Sequence, residues 1–164
     1  MVPLTARERL FCMIAATAAD LDGLSILFGQ EAYWDYHHFV CHNLPFALLM
    51  SAALAAFSAS RLKAFFVYLA AAHLHLFLDC FGSGPGWPIH YGWPFFHAVW
   101  HNPDAWEFSS WQNRVAALVF LIGVLIIAIV CQRTPIELIT PDLDRRFVAR
   151  LRGLLGLKQA TASS

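Results

Sequence analysis

The chain has 164 residues, of which 59% are apolar and 13% charged, with a formal net charge of +0 and a mean hydropathy of +0.54. Soluble domains carry about 45–50% apolar and about 25% charged residues, so the composition excludes an ordinary soluble domain and points to an integral membrane protein. No glycine-rich phosphate loop and no basic-aromatic surface is present, which excludes P-loop, Rossmann and nucleic-acid chemistry.

The first apolar stretch runs from Leu10 to Ala19 and can extend past Asp20 and Asp22 to Phe28. It has a basic start and small residues near Ala19, as a signal sequence does. The regular pattern of the stretches that follow predicts a retained helix instead. The second stretch is Leu44–Ser58, the third Ala64–Leu78 and the fourth Val115–Cys131. Only the fourth approaches the roughly 20 apolar residues of a full span. All four read as helices, because an isolated strand leaves its backbone unsatisfied in lipid. The expectation is an all-α, polytopic membrane protein of about four short transmembrane helices. The predicted domains are a helical membrane domain over 1–140, a basic amphipathic cytoplasmic helix over 141–158 and a disordered tail over 159–164. In the second of these, LDRRFVARLRGLLGL suits a helix lying on anionic lipid, or a solvated one.

Charge sets the expected topology. Arg7 and Arg9 precede the first stretch, Arg61 and Lys63 separate the second from the third, and Arg133, Arg145, Arg146, Arg150, Arg152 and Lys158 follow the fourth. Only Arg114 falls on the other side. The positive-inside rule makes the basic side cytoplasmic. The opposite side receives the segments 20–43 and 79–113, and all eight histidines lie there or in the last turns of the third stretch. Four crossings therefore gather every candidate ligand at the extracytoplasmic end.

Three groups of polar residues stand out against this apolar background. In AAHLHLFLDC, His75 and Asp79 are four residues apart and share one helix face. An unpaired carboxylate at the bilayer centre costs about 2.5–3.5 kcal/mol, and a cation removes most of that cost. Read blandly, the pair is a core histidine beside a solvated helix-end aspartate. His73 points about 200° away from His75 around the helix and reads as a packed bystander. Asp20 and Asp22 form a D-x-D on a bend, which suits a cation or a simple helix cap. YHHFVCHNL places His37, His38 and His42 just before the second helix, as metal donors through either ring nitrogen or as interfacial anchors. His97 and His101 form a later H-x-x-x-H, with His90 nearby; these read as extra ligands or as part of an aromatic-rich interfacial helix. Cys12, Cys41, Cys80 and Cys131 form no CxxC pair, though Cys41 and Cys80 adjoin candidate ligands and are able to pair or to join a metal shell.

The order D-L-D (20–22), H-H-F-V-C-H-N (37–43), H-L-F-L-D (75–79) and GWPIHYGWPF (86–95) resembles the family of predicted membrane-bound metal-dependent hydrolases typified by a bacterial inner-membrane protein of the SOS regulon. That family has an aspartate pair after its first apolar segment, then H-R-G-x-T-H-S, S-H-x-x-x-D and G-x-P…W-P-F blocks. His37 and His42 match the second block, His75 and Asp79 the third, and Gly86, Pro88, Trp93, Pro94 and Phe95 the fourth. His38, Phe39, Cys41, Asn43 and Leu74 depart from it. The resemblance covers residues 10–96 and implies an inner-membrane location. It also implies a distant relationship to zinc-dependent phospholipase C and P1 nuclease.

The expected activity is hydrolysis of a phosphoester in a lipid or lipid-linked substrate. The fold analogy supplies the phosphoester and the membrane setting supplies the lipid. Metal ligands are expected among Asp20, Asp22, His37, His42, His75 and Asp79, with His97 and His101 as further candidates. Mixed His and Asp donors suit roughly one to three zinc ions, with manganese or iron as alternatives. One of Asp20 and Asp22 is then a ligand and the other a general base. Trp87, Tyr91 and Trp93, on a Gly-Pro-rich loop, are the expected substrate contacts. Two other classes remain open on the sequence: a metal carrier, and a haem-binding electron-transfer protein using His42 and His75.

Overall fold

The computed structural model describes residues 4–157; Lys158 and the tail expected over 159–164 lie outside them. Its regular elements are helices: α1 (Ala6–Thr17), a 3-10 segment (Ala18–Phe28), α2 (Gln30–Tyr36), α3 (Leu44–Ala56), α4 (Arg61–Gly82), α5 (Trp111–Cys131), a 3-10 turn (Pro135–Leu138) and α6 (Pro141–Leu154). Among the described residues the only extended pairing is an isolated antiparallel bridge, Ile89 with Trp100. The chain divides into two compact units, Met1–Gln112 and Asn113–Ser164.

In the first unit, α1 begins at a reciprocal cap. Thr5 Oγ1 accepts from the Glu8 N–H at 3.2 Å, and the Glu8 carboxylate accepts from the Thr5 N–H at 2.9 Å. Glu8 is buried and also accepts from the Ala59 N–H at 3.1 Å, while the Arg7 guanidinium donates to the Phe57 carbonyl at 2.7 Å. The start of α1 is thereby tied to the turn joining α3 to α4. Past Thr17 the helix tightens into the 3-10 segment, where Asp20, Asp22 and Gly23 are all poor helix-interior residues.

The helices meet along a seam of small residues. Ala47, Ser51 and Ala55 are buried on α3, and Ala64, Tyr68, Ala72 and Leu76 on α4. The four-residue spacing on both helices is that of ridges packing into grooves. Small side chains let the backbones approach, as helices in lipid require. Ala15 of α1 joins the same cluster, and the buried Tyr68 hydroxyl is hydrogen-bonded to Ser58 Oγ at 2.9 Å. Large apolar side chains point outward instead, among them Leu49, Leu62, Phe66, Leu74 and Phe77. Small residues inside and large apolar ones outside is the arrangement of a protein solvated by hydrocarbon.

Among the described residues, three helical stretches are long and apolar enough to cross a membrane: Ala6–Phe28, Arg61–Gly82 and Trp111–Cys131. The expectation of four short spans with one near full length therefore changes. The third helix is 22 residues long, because Arg61 and Lys63 at one end and Asp79 and Cys80 at the other remain helical. Helix α3 has 13 residues.

The loop after α4 is fastened back to it. Asn102 Nδ2 donates to the Cys80 carbonyl at 3.0 Å and the Trp106 N–H donates to the Phe81 carbonyl at 2.9 Å. Ile89 is fully buried against Ala19 and Leu76. Gly92 turns so tightly that a Cβ would collide with the Phe96 carbonyl and ring.

In the second unit, α6 is a helix as expected, with Pro141 at its first turn. Buried Asp144 accepts from both the Thr134 N–H, at 2.9 Å, and the Thr134 hydroxyl, at 2.6 Å. Arg152 donates to the Ile129 carbonyl at the end of α5. Leu143, Phe147 and Leu154 stay exposed, beside the buried face formed by Asp144 and Val148.

Candidate metal centre

The cluster is built by three segments. The 3-10 segment presents Asp20 and Asp22, the stretch 37–43 presents its histidines, and the last turns of α4 present His75 and Asp79. Asn43 sets the second of these. Its Oδ1 caps α3 by accepting from the Phe46 N–H at 2.8 Å, while its Nδ2 donates to the carbonyls of Val40, at 2.7 Å, and Phe39, at 3.1 Å. His42 is thus fixed at the start of α3 and fully buried.

The two aspartates do different things. Asp22 is buried, and both of its oxygens are engaged: Oδ1 by His37 Nδ1 at 2.8 Å, and Oδ2 by His42 Nδ1 and the Cys41 N–H, both at 2.9 Å. A carboxylate only accepts, so both imidazoles donate through Nδ1. The Nε2 lone pair of His42 is left facing the other way. There it meets Asp79 Oδ2 at 3.3 Å and Asp20 Oδ1 at 3.8 Å, and His75 Nε2 lies 3.1 Å from Asp79 Oδ2 and 3.3 Å from Asp20 Oδ1. His42 Nε2, His75 Nε2 and Asp79 Oδ2 are buried and have no hydrogen-bond partner. Asp20 is the open side, its side chain 56% exposed.

These residues fit a cation. Buried polar atoms are rarely left unpaired, and three converge here. A tetrahedral ion with ligands at about 2.0–2.2 Å has ligand–ligand edges of roughly 3.3–3.6 Å. The four cross-distances, 3.1, 3.3, 3.3 and 3.8 Å, bracket that range. Mixed imidazole and carboxylate donors match zinc, manganese or iron better than calcium or magnesium. Three overlapping groups have donor atoms within metal-sharing reach: Asp20, His42 and His75; Asp22, His37 and His42; and His38, His42 and Asp79. His42 belongs to all three.

His38 enters this cluster; the sequence offers it beside His37 and His42 as a candidate donor, although it departs from the resembled motif. Three histidines within six residues were the available signal. His38 is 4% exposed, its Nδ1 has no partner, and its ring stacks on that of His42 with centroids 4.2 Å apart. Burial, then the neighbouring His42, pushes its pKa down to about 4, so the ring is neutral at physiological pH. Burial, together with the Asp22 carboxylate, pushes the Cys41 thiol up to about 11. Cys41 and Cys80 are both free thiols.

The remaining candidates separate. His73 Nδ1 donates to the Leu69 carbonyl at 2.8 Å and Nε2 accepts from the Tyr91 hydroxyl at 2.9 Å. His73 is thus a latch between α4 and the loop, off the cluster as expected. Tyr91, an expected substrate contact, bonds His73 in that latch and stacks against Trp100 with centroids 4.0 Å apart. Trp87 stacks on Trp34 at 4.5 Å and lies against Tyr33, His37 and His38, covering the histidines. Trp93 packs on Phe39, and His90 packs on the same ring. His97 and His101 join none of the metal-compatible groups among the described residues. The segment between them is not helical, because Trp100 pairs with Ile89, so the two imidazoles do not share a helix face. His101 Nε2 donates to the Pro85 carbonyl at 3.0 Å.

Comparison with known proteins gives one family: that described as YdjM inner membrane protein matches residues 3–136. No curated protein and no solved structure matches the chain.

Proposed function

The chain belongs to the YdjM inner membrane protein family, and from that premise and the donor cluster we propose a membrane-embedded, metal-dependent hydrolase that cleaves a phosphoester in a lipid or lipid-linked substrate. The observation that carries the reading is the convergence of three buried, unpartnered donor atoms, His42 Nε2, His75 Nε2 and Asp79 Oδ2. A catalytic zinc site takes three protein ligands and keeps one position open. These three residues are the proposed ligands, and Asp20 marks the open side. A zinc, manganese or iron ion held there would supply Lewis-acid chemistry and acidify a bound water.

The two aspartates take separate roles in this reading. Asp22 sits behind His42 and His37, fixing their tautomers and orientation, as carboxylates behind metal-binding histidines do. Asp20 is the solvent-facing carboxylate, placed to accept a proton from an attacking water. The 3-10 segment that carries Asp20 also exposes Leu24, Leu27 and Phe28. Phe95, Phe96 and half-exposed Trp93 add aromatic surface on the loop. A substrate with a polar head and apolar tails matches that surface. The phosphoester assignment rests on the resemblance to metal-dependent hydrolases, and the lipid assignment on the membrane setting. The positive-inside rule places the mouth of the site on the extracytoplasmic face of a multi-pass protein, with basic α6 against the anionic cytoplasmic lipid surface.

The test begins with purified protein. Its bound metal is measured, and cleavage of phospholipid and of lipid pyrophosphate is assayed. His75→Ala and Asp79→Ala are expected to lose both metal and turnover. Asp20→Asn is expected to keep the metal and lose about 10²–10⁴-fold in turnover. A wild-type protein that carries no metal, or variants indistinguishable from it, would overturn the reading.

A further inference from the structure

We infer that His38 is a metal ligand of this cluster, adding a third imidazole to those of His42 and His75. The inference rests on the metal reading above and extends it to a residue that neither the motif resemblance nor the helix pattern marks.

Four observations carry it. First, His38 Nδ1 is buried in a 4% exposed residue and has no hydrogen-bond partner. A buried imidazole nitrogen without a partner forfeits roughly 1–3 kcal/mol of solvation, and a coordinated ion is the standard compensation. Second, the donor atoms of His38, His42 and Asp79 lie within 4.8 Å of one another. His42 and Asp79 are two of the three proposed ligands, so the His38 donor faces the same small volume. Third, the ring is held where it is. It is stacked on His42 at 25° and 4.2 Å, edge-on to His37 at 4.6 Å and covered by Trp87 at 5.3 Å. Fourth, the backbone at His38 is left-handed, with φ of 65°. Such a conformation costs a non-glycine residue on the order of 1–3 kcal/mol and collects at functional sites. Here it turns the side chain inward, next to His42. Tight packing and strain together hold an imidazole whose buried Nδ1 has no hydrogen-bond partner.

The chemical consequence concerns metal choice. With His38 the donors become three imidazoles and the half-buried Asp79 carboxylate, with Asp20 at the exposed mouth. Added nitrogen favours zinc or iron over the oxygen-seeking calcium, magnesium and manganese.

Cobalt(II) is the probe, loaded into the wild-type protein in detergent. Each coordinated imidazole keeps one N–H on its other ring nitrogen, and the paramagnetic ion shifts that exchangeable proton far outside the ordinary proton spectrum. Three such resonances are expected, from His38, His42 and His75. Two would overturn the inference while leaving the metal reading intact. A protein that takes up no cobalt would overturn both. Cobalt-to-chain stoichiometry, measured on the same sample, tells whether His38 shares the ion of His42 and His75 or binds a neighbouring one; both support a ligand role. The variant test uses His38→Asn, since asparagine tolerates the left-handed backbone, and His38→Cys, which restores a donor. Zinc affinity is expected to fall at least about tenfold in the first and to recover in the second. Equal affinity in wild type and His38→Asn would overturn the inference. The cobalt spectrum of the wild type decides the matter even where a variant does not fold.

Discussion

The two histidines of AAHLHLFLDC lie two residues apart and are put to opposite uses. His75 aims Nε2 into the cluster, whereas His73 spends both nitrogens on the Leu69 carbonyl and the Tyr91 hydroxyl. The helix makes this separation, since two residues turn the side chain about 200°. His73→Phe is accordingly expected to cost about 1 kcal/mol of stability through the lost hydrogen bonds, with zinc affinity unchanged. Asp22→Asn is expected to do the reverse. It keeps the shape but puts an amide donor where His37, His42 and the Cys41 N–H all need an acceptor. Zinc affinity should fall about 10–100-fold, as for other carboxylates behind metal-binding histidines. Chelator competition measures both variants, and a zinc defect in His73→Phe would assign it to the site after all. The His75–Asp79 pair was legible in the sequence because four-residue spacing on a helix needs no tertiary information. The different duties of Asp20 and Asp22 were not, because they depend on which oxygen meets which ring across three separate segments.

At the scale of the elements, packing is inverted relative to a soluble bundle. Small residues line the seam of α3 and α4, and the large apolar side chains face outward. Ala55 is 3% exposed in the seam and Leu49 is 70% exposed on the same helix. Enlarging the first, in Ala55→Leu, is expected to cost about 1–3 kcal/mol by overpacking. Trimming the second, in Leu49→Ala, is expected to stay within about 0.5 kcal/mol, as surface changes do. Denaturant titration in detergent micelles compares the two, and equal costs would remove the seam as the source of stability. The same inversion explains what was legible here. Val115–Cys131 reads as a span because nothing polar interrupts it. Helix α4 reads short, as Ala64–Leu78, because Arg61, Lys63 and Asp79 look like its limits, although all three remain helical. The seven-residue QEAYWDY of α2 carries no apolar period at all, and its existence follows from the way Tyr33 and Trp34 pack over His37 and Trp87. FHAVWH reads as a helical ligand pair, yet Trp100 was already committed to Ile89.

At the scale of the whole molecule, the open matter is whether α3, with 13 residues, crosses the membrane. By length alone it reaches about 20 Å, short of the roughly 30 Å hydrocarbon core. Its neighbours argue that it does. At one end of the first unit, Arg7 and Glu8 at the start of α1 hold Phe57 and Ala59, directly before α4 begins. At the other end, His42 before α3 meets Asp79 near the end of α4 at 3.3 Å. The segment 42–59 therefore runs between the same two ends as the 22-residue α4, in the opposite direction. A helix paired at both ends with a membrane-long neighbour is expected to traverse the same depth, with its non-helical flanks supplying the missing length. The basic residues Arg7, Arg9, Arg61 and Lys63 gather at the Ala59 end, which the positive-inside rule predicts to be cytoplasmic. Single cysteines placed at Ala59 and Asp104, both exposed, in an otherwise cysteine-free background test this directly. With a membrane-impermeant maleimide on intact cells, label is expected at Asp104→Cys and only after lysis at Ala59→Cys. Labelling of both from outside would mean that the α3–α4 hairpin does not cross the membrane.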